Sequence, residues 1–186
     1  MARKQVPSEH NGSFPIREDR RVRSNIEVHV AGVCVRPTNG GWEVLIAQRT
    51  NERHLYPGKW ECGGGQVHYG EGLNDAVKRQ IFEEFGLEVE PYALLEIYEI
   101  HVPAPKRIIN GVRFLCLAGD GVIRLNEREF TQYQWVRFPV PIDLDWIEGV
   151  KKILDTIGPE LLAKLPQRKQ PESERGPASL PSTVVN

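Results

Sequence analysis

A glycine turn running straight into a charged helix constrains this chain more than any other stretch. Residues 63–87 read GGGQVHYGEGLNDAVKRQIFEEFGL. The successive glycines Gly63, Gly64 and Gly65 allow a tight turn and a close approach of backbone to its neighbours. Glu71 follows, then a run of helix formers that stops at Gly86, the residue type that commonly closes a helix. At about 100° per residue, Arg79, Gln80, Glu83 and Glu84 fall on one side with the small Ala76. Val77, Ile81, Phe82 and Phe85 take the remaining circumference and are expected to pack. Two carboxylates crowded beside an arginine at the foot of a glycine loop suit a hard divalent cation. Magnesium takes oxygen ligands and is commonly held by one or two carboxylates plus substrate phosphates.

Around this stretch the chain reads as mixed α/β. Residues 26–35 are β-branched and apolar, a buried strand. Pro37 to Gly41 is turn chemistry, and Trp42 to Gln48 makes the returning strand of a hairpin. Asn51 to Lys59 is a polar loop, and Trp60-Glu61-Cys62 is short and extended. After the helix, Val89 to Ile100 is a strand that alternates poorly, and Val102 to Lys106, with its two prolines, is a loop. Ile108 to Leu117 is a strand interrupted by Asn110-Gly111, and Gly119 to Phe130 is a loop carrying Glu127 and Glu129. Gln132 to Phe138 is a last strand, and Leu144 to Ile157 has helical periodicity.

The ends differ from the middle. Residues 1–24 form a polar, basic extension, and residues 166–186, rich in Pro, Ser, Glu, Lys and Arg, are expected to be a disordered tail. The remaining domain, 25–165, carries 15 Lys+Arg against 20 Asp+Glu, a net charge of −5. An acidic domain speaks against nucleic-acid binding and fits a metal-dependent site. No apolar run approaches the ~20 residues that span a bilayer, and no apolar signal core opens the chain. The three cysteines (Cys34, Cys62, Cys116) make no C-x-x-C pair, and the five histidines lack zinc-ligand spacing. Reduced thiols in the cytoplasm are therefore expected.

Residues 65–87 resemble the signature of the Nudix hydrolase family, G-x5-E-x7-R-E-U-x-E-E-x-G-U, with U a bulky aliphatic. Gly65, Glu71, Arg79, Ile81, Glu83, Glu84, Gly86 and Leu87 fall on the pattern, and Gln80 replaces the first glutamate of its R-E-U core. The resemblance implies an α/β/α sandwich with a mixed central sheet. It also implies hydrolysis of a phosphoanhydride in a nucleoside diphosphate derivative or nucleoside triphosphate, with Mg2+ or Mn2+ and an activated water. A nucleotide-type small molecule is then the expected partner, with a homodimer also allowed and neither membrane nor nucleic acid expected.

By the same resemblance Glu83, Glu84 and the carbonyl of Gly64 match metal ligands, Arg79 matches the arginine that orients the acidic cluster, and Glu71 matches a position tying loop to helix. Gln80 is the departure that matters chemically: an amide cannot take a proton from water or supply negative charge. Some relatives take the base from a later loop, which makes Glu127 and Glu129 candidates here, with His101 a weaker one. Arg49, Arg53, Lys59, Lys106 and Arg107 are candidate phosphate clamps. Trp135 falls where relatives stack a nucleobase. The alternative reading is a catalytically weakened Nudix-like nucleotide-binding or regulatory module.

Overall fold

The computed structural model describes residues 26–141 and 143–166. The basic extension and the C-terminal tail named above lie outside the described residues, apart from Pro166. In chain order the elements are β1 (Val28–Thr38), β2 (Gly41–Arg49), β3 (Trp60–Glu61), β4 (Gly64–Gln66), α1 (Leu73–Phe85), β5 (Val89–Pro103), β6 (Lys106–Ala118), β7 (Phe130–Arg137), α2 (Val150–Thr156) and α3 (Pro159–Ala163). The strands make one sheet in the order β3-β2-β1-β6-β5, with β4 pairing to β1 and β7 to β2.

The central strand is β1, because its apolar residues can be buried on both faces. It runs parallel to β6 from Val28 opposite Asn110 to Val35 opposite Leu117, and antiparallel to β2 and β4. Its side chains alternate as a strand requires. Val33 and Val35 enter one apolar layer with Val44, Ile46, Trp60 and Leu154 of α2. Val30 and Cys34 enter the other, against Ala76, Val77, Ile81 and Phe85 of α1. The result is a mixed sheet between helices.

Several segments depart from the sequence reading. The expected loop from Val102 to Lys106 shrinks to a turn at Ala104-Pro105, because β5 continues to Pro103 and pairs with Lys106 of β6. Proline is tolerated at such a strand end, where its missing N–H costs no ladder bond. Irregularities at Pro91/Ala93 and Leu94/Glu96 shift the faces of β5, which accounts for its poor alternation. The strand at Asn110-Gly111 is unbroken.

The expected helix over Leu144 to Ile157 begins only at Val150. Upstream, Trp60 N–H donates to the Asp145 carbonyl at 2.8 Å and Ile147 N–H to the Trp60 carbonyl at 3.1 Å. Those groups are spent on an extended bridge of Trp146 to Trp60 and cannot also serve a helix. A short α3 follows, and its Leu162 joins the same apolar layer as Leu154. Leu162→Ala should therefore destabilise the protein by about 2 kcal/mol or more, seen as a lower urea midpoint at unchanged slope.

Candidate active site

Helix α1 carries the site, and its rotation decides which charges are available. The buried arc starts at Ala76 and passes Gln80, Glu84, Val77 and Ile81 to Phe85, about half the circumference. Glu84 lies inside that arc and is only 2 % exposed. Phe82, expected to pack, lies on the opposite side with Arg79 and Glu83 and is 55 % exposed. Gly86 ends the helix in the left-handed region and donates its N–H to the Phe82 carbonyl.

The glycine turn is what allows a carboxylate to be buried here. Gly64 has φ +148°, and a Cβ on it would stand 2.2 Å from the Val30 carbonyl oxygen. Its N–H donates to Glu84 Oε2 at 2.9 Å. Burial, then the neighbouring Glu61 and Glu129, push the Glu84 carboxyl well above its usual range, against that hydrogen bond and the Arg49 charge. The Glu84 carboxylate itself is short of compensating positive charge, as a cation ligand would be.

Arg79 staples loop to helix. Its Nε and a terminal nitrogen grip both oxygens of Glu71, at 2.7 and 2.8 Å, while it also donates to Glu83 Oε2 at 3.1 Å and to the Gln66 carbonyl at 3.0 Å. Glu71 also accepts from the His68 N–H at 3.0 Å. The Arg79 hydrogen bonds lead in lowering the Glu71 pKa to about 2. Gln80 Nε2 donates to the same Gln66 carbonyl at 3.2 Å.

A cavity of about 470 Å3 opens beside the turn. Of the residues singled out in the sequence, Arg49, Arg53, Gly64, Gln80, Arg107 and Glu129 line it. Glu129 is held by Arg53 at 3.3 Å and by Asn126 Nδ2 at 3.3 Å. The loop behind it is strapped to the end of α1, Asn126 N–H donating to the Glu84 carbonyl and Arg124 N–H to that of Phe85. Other candidates stand elsewhere. Glu127 is exposed away from the cavity, Glu83 is 52 % exposed on Arg79, and Lys59 pairs with Asp145 at 2.6 Å. His101 pairs with Glu99 at 3.1 Å, and Lys106 is exposed at the β5–β6 hairpin end. Trp135 packs on the α1 layer beneath the Arg36 guanidinium, 4.0 Å from its ring centre.

Glu61 was not singled out, yet it lines the cavity in an ion pair with Arg49. The signal was present: Trp60 and Cys62 turn into one layer, so Glu61 must face the other way. Among the described residues no group of three or more His, Cys, Asp or Glu side chains is already gathered at metal-holding geometry. The oxygen donors of Glu61, Glu84 and Glu129 are nonetheless of the hard type that magnesium takes.

The NUDIX domain family model matches residues 28–155, more than half of the chain. The nucleoside triphosphatase NudI of Escherichia coli O17:K52:H18 (strain UMN026 / ExPEC) is 29% identical over 114 residues, covering 56% of this chain and 79% of that protein. Two solved structures share the fold. One is a C. elegans Ap4A hydrolase in a binary complex (TM-score 0.61, 17% identity, 74% of this chain and 99% of that one). The other is a MutT NUDIX hydrolase from Burkholderia pseudomallei (TM-score 0.58, 22% identity, 73% and 100%). The chain belongs to the Nudix hydrolase family. Its activity class is accordingly hydrolysis of a phosphoanhydride bond in a nucleotide derivative. No helix among the described residues is long and apolar enough to cross a membrane.

The two glutamates respond oppositely to pH. Glu71, with its folded pKa lowered, contributes stability that is present above about pH 4.3, the unfolded value, and is lost as pH falls toward 2. An NMR titration should place its midpoint near 2, and Arg79→Lys should raise it. Glu84, with its folded pKa raised, weighs against the metal-free fold as pH rises above about 4.3. Glu84→Gln should therefore raise the metal-free thermal midpoint at pH 8 by a few degrees, on the order of 1 kcal/mol, while Mn2+ binding weakens at least about tenfold. An unchanged Mn2+ titration would remove Glu84 from the metal site.

Proposed function

We propose that this protein is a Mg2+- or Mn2+-dependent pyrophosphohydrolase of nucleotides, with the acidic end of the cavity as its reaction centre. The observation that carries the reading is the convergence of Glu84, Glu61 and Glu129 beside the glycine turn. Glu84, Glu61 and the Gly64 carbonyl are the groups that would hold the cation, and Glu83, half-exposed and paired with Arg79, would have to turn from that pair to join them. When bound, such a cation neutralises phosphate charge and lowers the pKa of water. Arg79 positions Glu71 and Glu83 through its hydrogen bonds and does not itself line the cavity.

Arg53 and Arg49 stand at the cavity wall as phosphate partners; Arg49 is now neutralised by Glu61, which a cation would draw away, and Arg53 holds Glu129. With Gln80 unable to accept a proton, Glu129 is the general base in this reading. It is half-buried, faces the cavity and is oriented by Asn126 and Arg53. The weakened-module alternative draws its support from Gln80 alone. A nucleoside triphosphatase reading is favoured by the similarity to the E. coli NudI protein. The three cysteines are free and buried, in keeping with a cytoplasmic reading, and burial leads in pushing the Cys62 thiol up to about 12, which makes it unreactive. A homodimer is carried forward as part of the proposal.

The test is phosphate or pyrophosphate release from a nucleotide panel with Mg2+ and with Mn2+. Glu129→Gln should lower kcat by about 100-fold or more, as loss of a general base does. Glu127→Gln should stay within about twofold, since that side chain points away from the cavity. Equal losses in both would dismiss Glu129 as the base. Nucleotide binding without turnover under any of these conditions would favour the alternative.

A further inference from the structure

The wall of the cavity opposite the acidic end holds a polar group that the reaction chemistry does not use. Strand register sets four residues in one row: Gln66 opposite His29, His29 opposite Gly111, and Gly111 opposite Tyr98. Three strand spacings separate the ends of that row, about 14 Å. Its β4 end adjoins Gln80, which bonds the Gln66 carbonyl, and its β5 end is Tyr98. Tyr98 reaches His29 across the intervening strand, its hydroxyl 2.6 Å from His29 Nδ1. That reach requires a glycine in between: a Cβ on Gly111 would stand 2.4 Å from the Tyr98 ring.

In the next row Arg113 lies over the Tyr98 ring at 4.5 Å and is paired with Glu96 at 2.5 Å. Arg113 is thus neutralised, and Arg107, also on this wall, is paired with Glu27 at 3.2 Å. Burial, then the Arg113 and Arg49 charges, lower the His29 pKa to about 4, so its imidazole is neutral at physiological pH. The Arg113 cation beside the phenol favours Tyr98 as donor to Nδ1, which places the single imidazole proton on Nε2. No partner for Nε2 is found among the described residues. Ile100 and Ile109, opposite one another on β5 and β6, add apolar surface to the same wall.

We propose that the His29–Tyr98–Arg113 group, laid across Gly111, recognises the nucleoside part of the substrate. His29 Nε2–H donates to a neutral acceptor on the base or sugar, while the phosphates lie beyond Gln66 at the acidic end. This assignment rests on the nucleotide hydrolase reading above. A wall with a fixed neutral donor, compensated cations and apolar surface selects an uncharged polar moiety rather than a phosphate. A donor aimed at an acceptor discriminates because a ligand that displaces the water on it without accepting its proton leaves it unpaired.

The test compares wild type with His29→Ala, Tyr98→Phe and Gly111→Ala, each checked for folding by thermal denaturation. Binding in Mn2+ is measured by calorimetry for the four ribonucleoside triphosphates, their 2′-deoxy counterparts and inorganic tripolyphosphate, with kcat and KM for each nucleotide. All three variants should weaken nucleotide binding and raise KM about tenfold, with tripolyphosphate affinity within about twofold. Losses confined to the ribo series place the acceptor on the sugar; losses that vary with the base place it there. Should His29→Ala fail to fold, Tyr98→Phe, which removes one hydroxyl, carries the test. Tripolyphosphate binding that falls as far as nucleotide binding, or no loss in any folded variant, overturns the proposal. A wild type that hydrolyses nucleotides, with variants unchanged, overturns this assignment alone. A wild type that binds no nucleotide overturns it together with the reading on which it rests.

Discussion

The architecture turns on one buried carboxylate. Glu84 sits on the core side of α1 because helical rotation leaves it between Gln80 and Val77, and its cost there is partly offset by the Gly64 N–H. That bond ties the helix to the glycine turn, and through β4 to the central strand. A buried charge with one backbone donor and two like-charged neighbours is an uncompensated arrangement, costly in any fold that does not use it. It is what would be expected of a site whose counter-charge arrives with its ligand. The apolar remainder of α1 supplies the stability that tolerates it, with Ile81 and Phe85 fully buried against β1 and β7.

Around that carboxylate the protein separates two electrostatic tasks. Arg79 is committed to structure: four hydrogen bonds to Glu71, Glu83 and Gln66 use four of its five N–H donors to hold the turn on the helix. Arg49 and Arg53 are committed to the cavity, each resting on a glutamate. In the proposed site a divalent cation would draw on Glu61 of the second set, whose charge acts most on Glu84 after burial, and on Glu83 of the first. Ion pairs at the cavity wall can thus act as place-holders, exchanged when phosphate and metal enter together.

The Gln80 departure gains a physical setting from the same geometry. Its side chain faces the cavity but is anchored by its amide nitrogen to the Gln66 carbonyl, so its oxygen side remains available as a neutral donor of electron density. The carboxylate missing at this helical position is matched by one on a different element: Glu61 from β3 faces the same space. Charge lost from the helix is therefore present in the cavity, supplied by a strand.

Local pattern made the glycine turn, the helix and its stop at Gly86 and the buried central strand legible, since each follows from periodicity or turn chemistry within one element; the layered mixed sheet was implied by the family resemblance alone. The family signature lies wholly inside that legible stretch. What pattern could not decide was which charges meet. Glu127 and Glu129 are two residues apart and alike in composition, yet the strap from Asn126 to the end of α1 turns only Glu129 inward. The residues around Trp146 have helical periodicity, yet the Trp60 backbone takes their hydrogen bonds first. Gly111, read as an interruption of a strand, is the gap through which Tyr98 reaches a histidine 69 positions away. By itself the sequence determined the glycine turn with its helix, the central strand and the family. Tertiary structure decided the membership of the site, because register between strands distant in the chain, and not periodicity along any one of them, places those side chains in a common cavity.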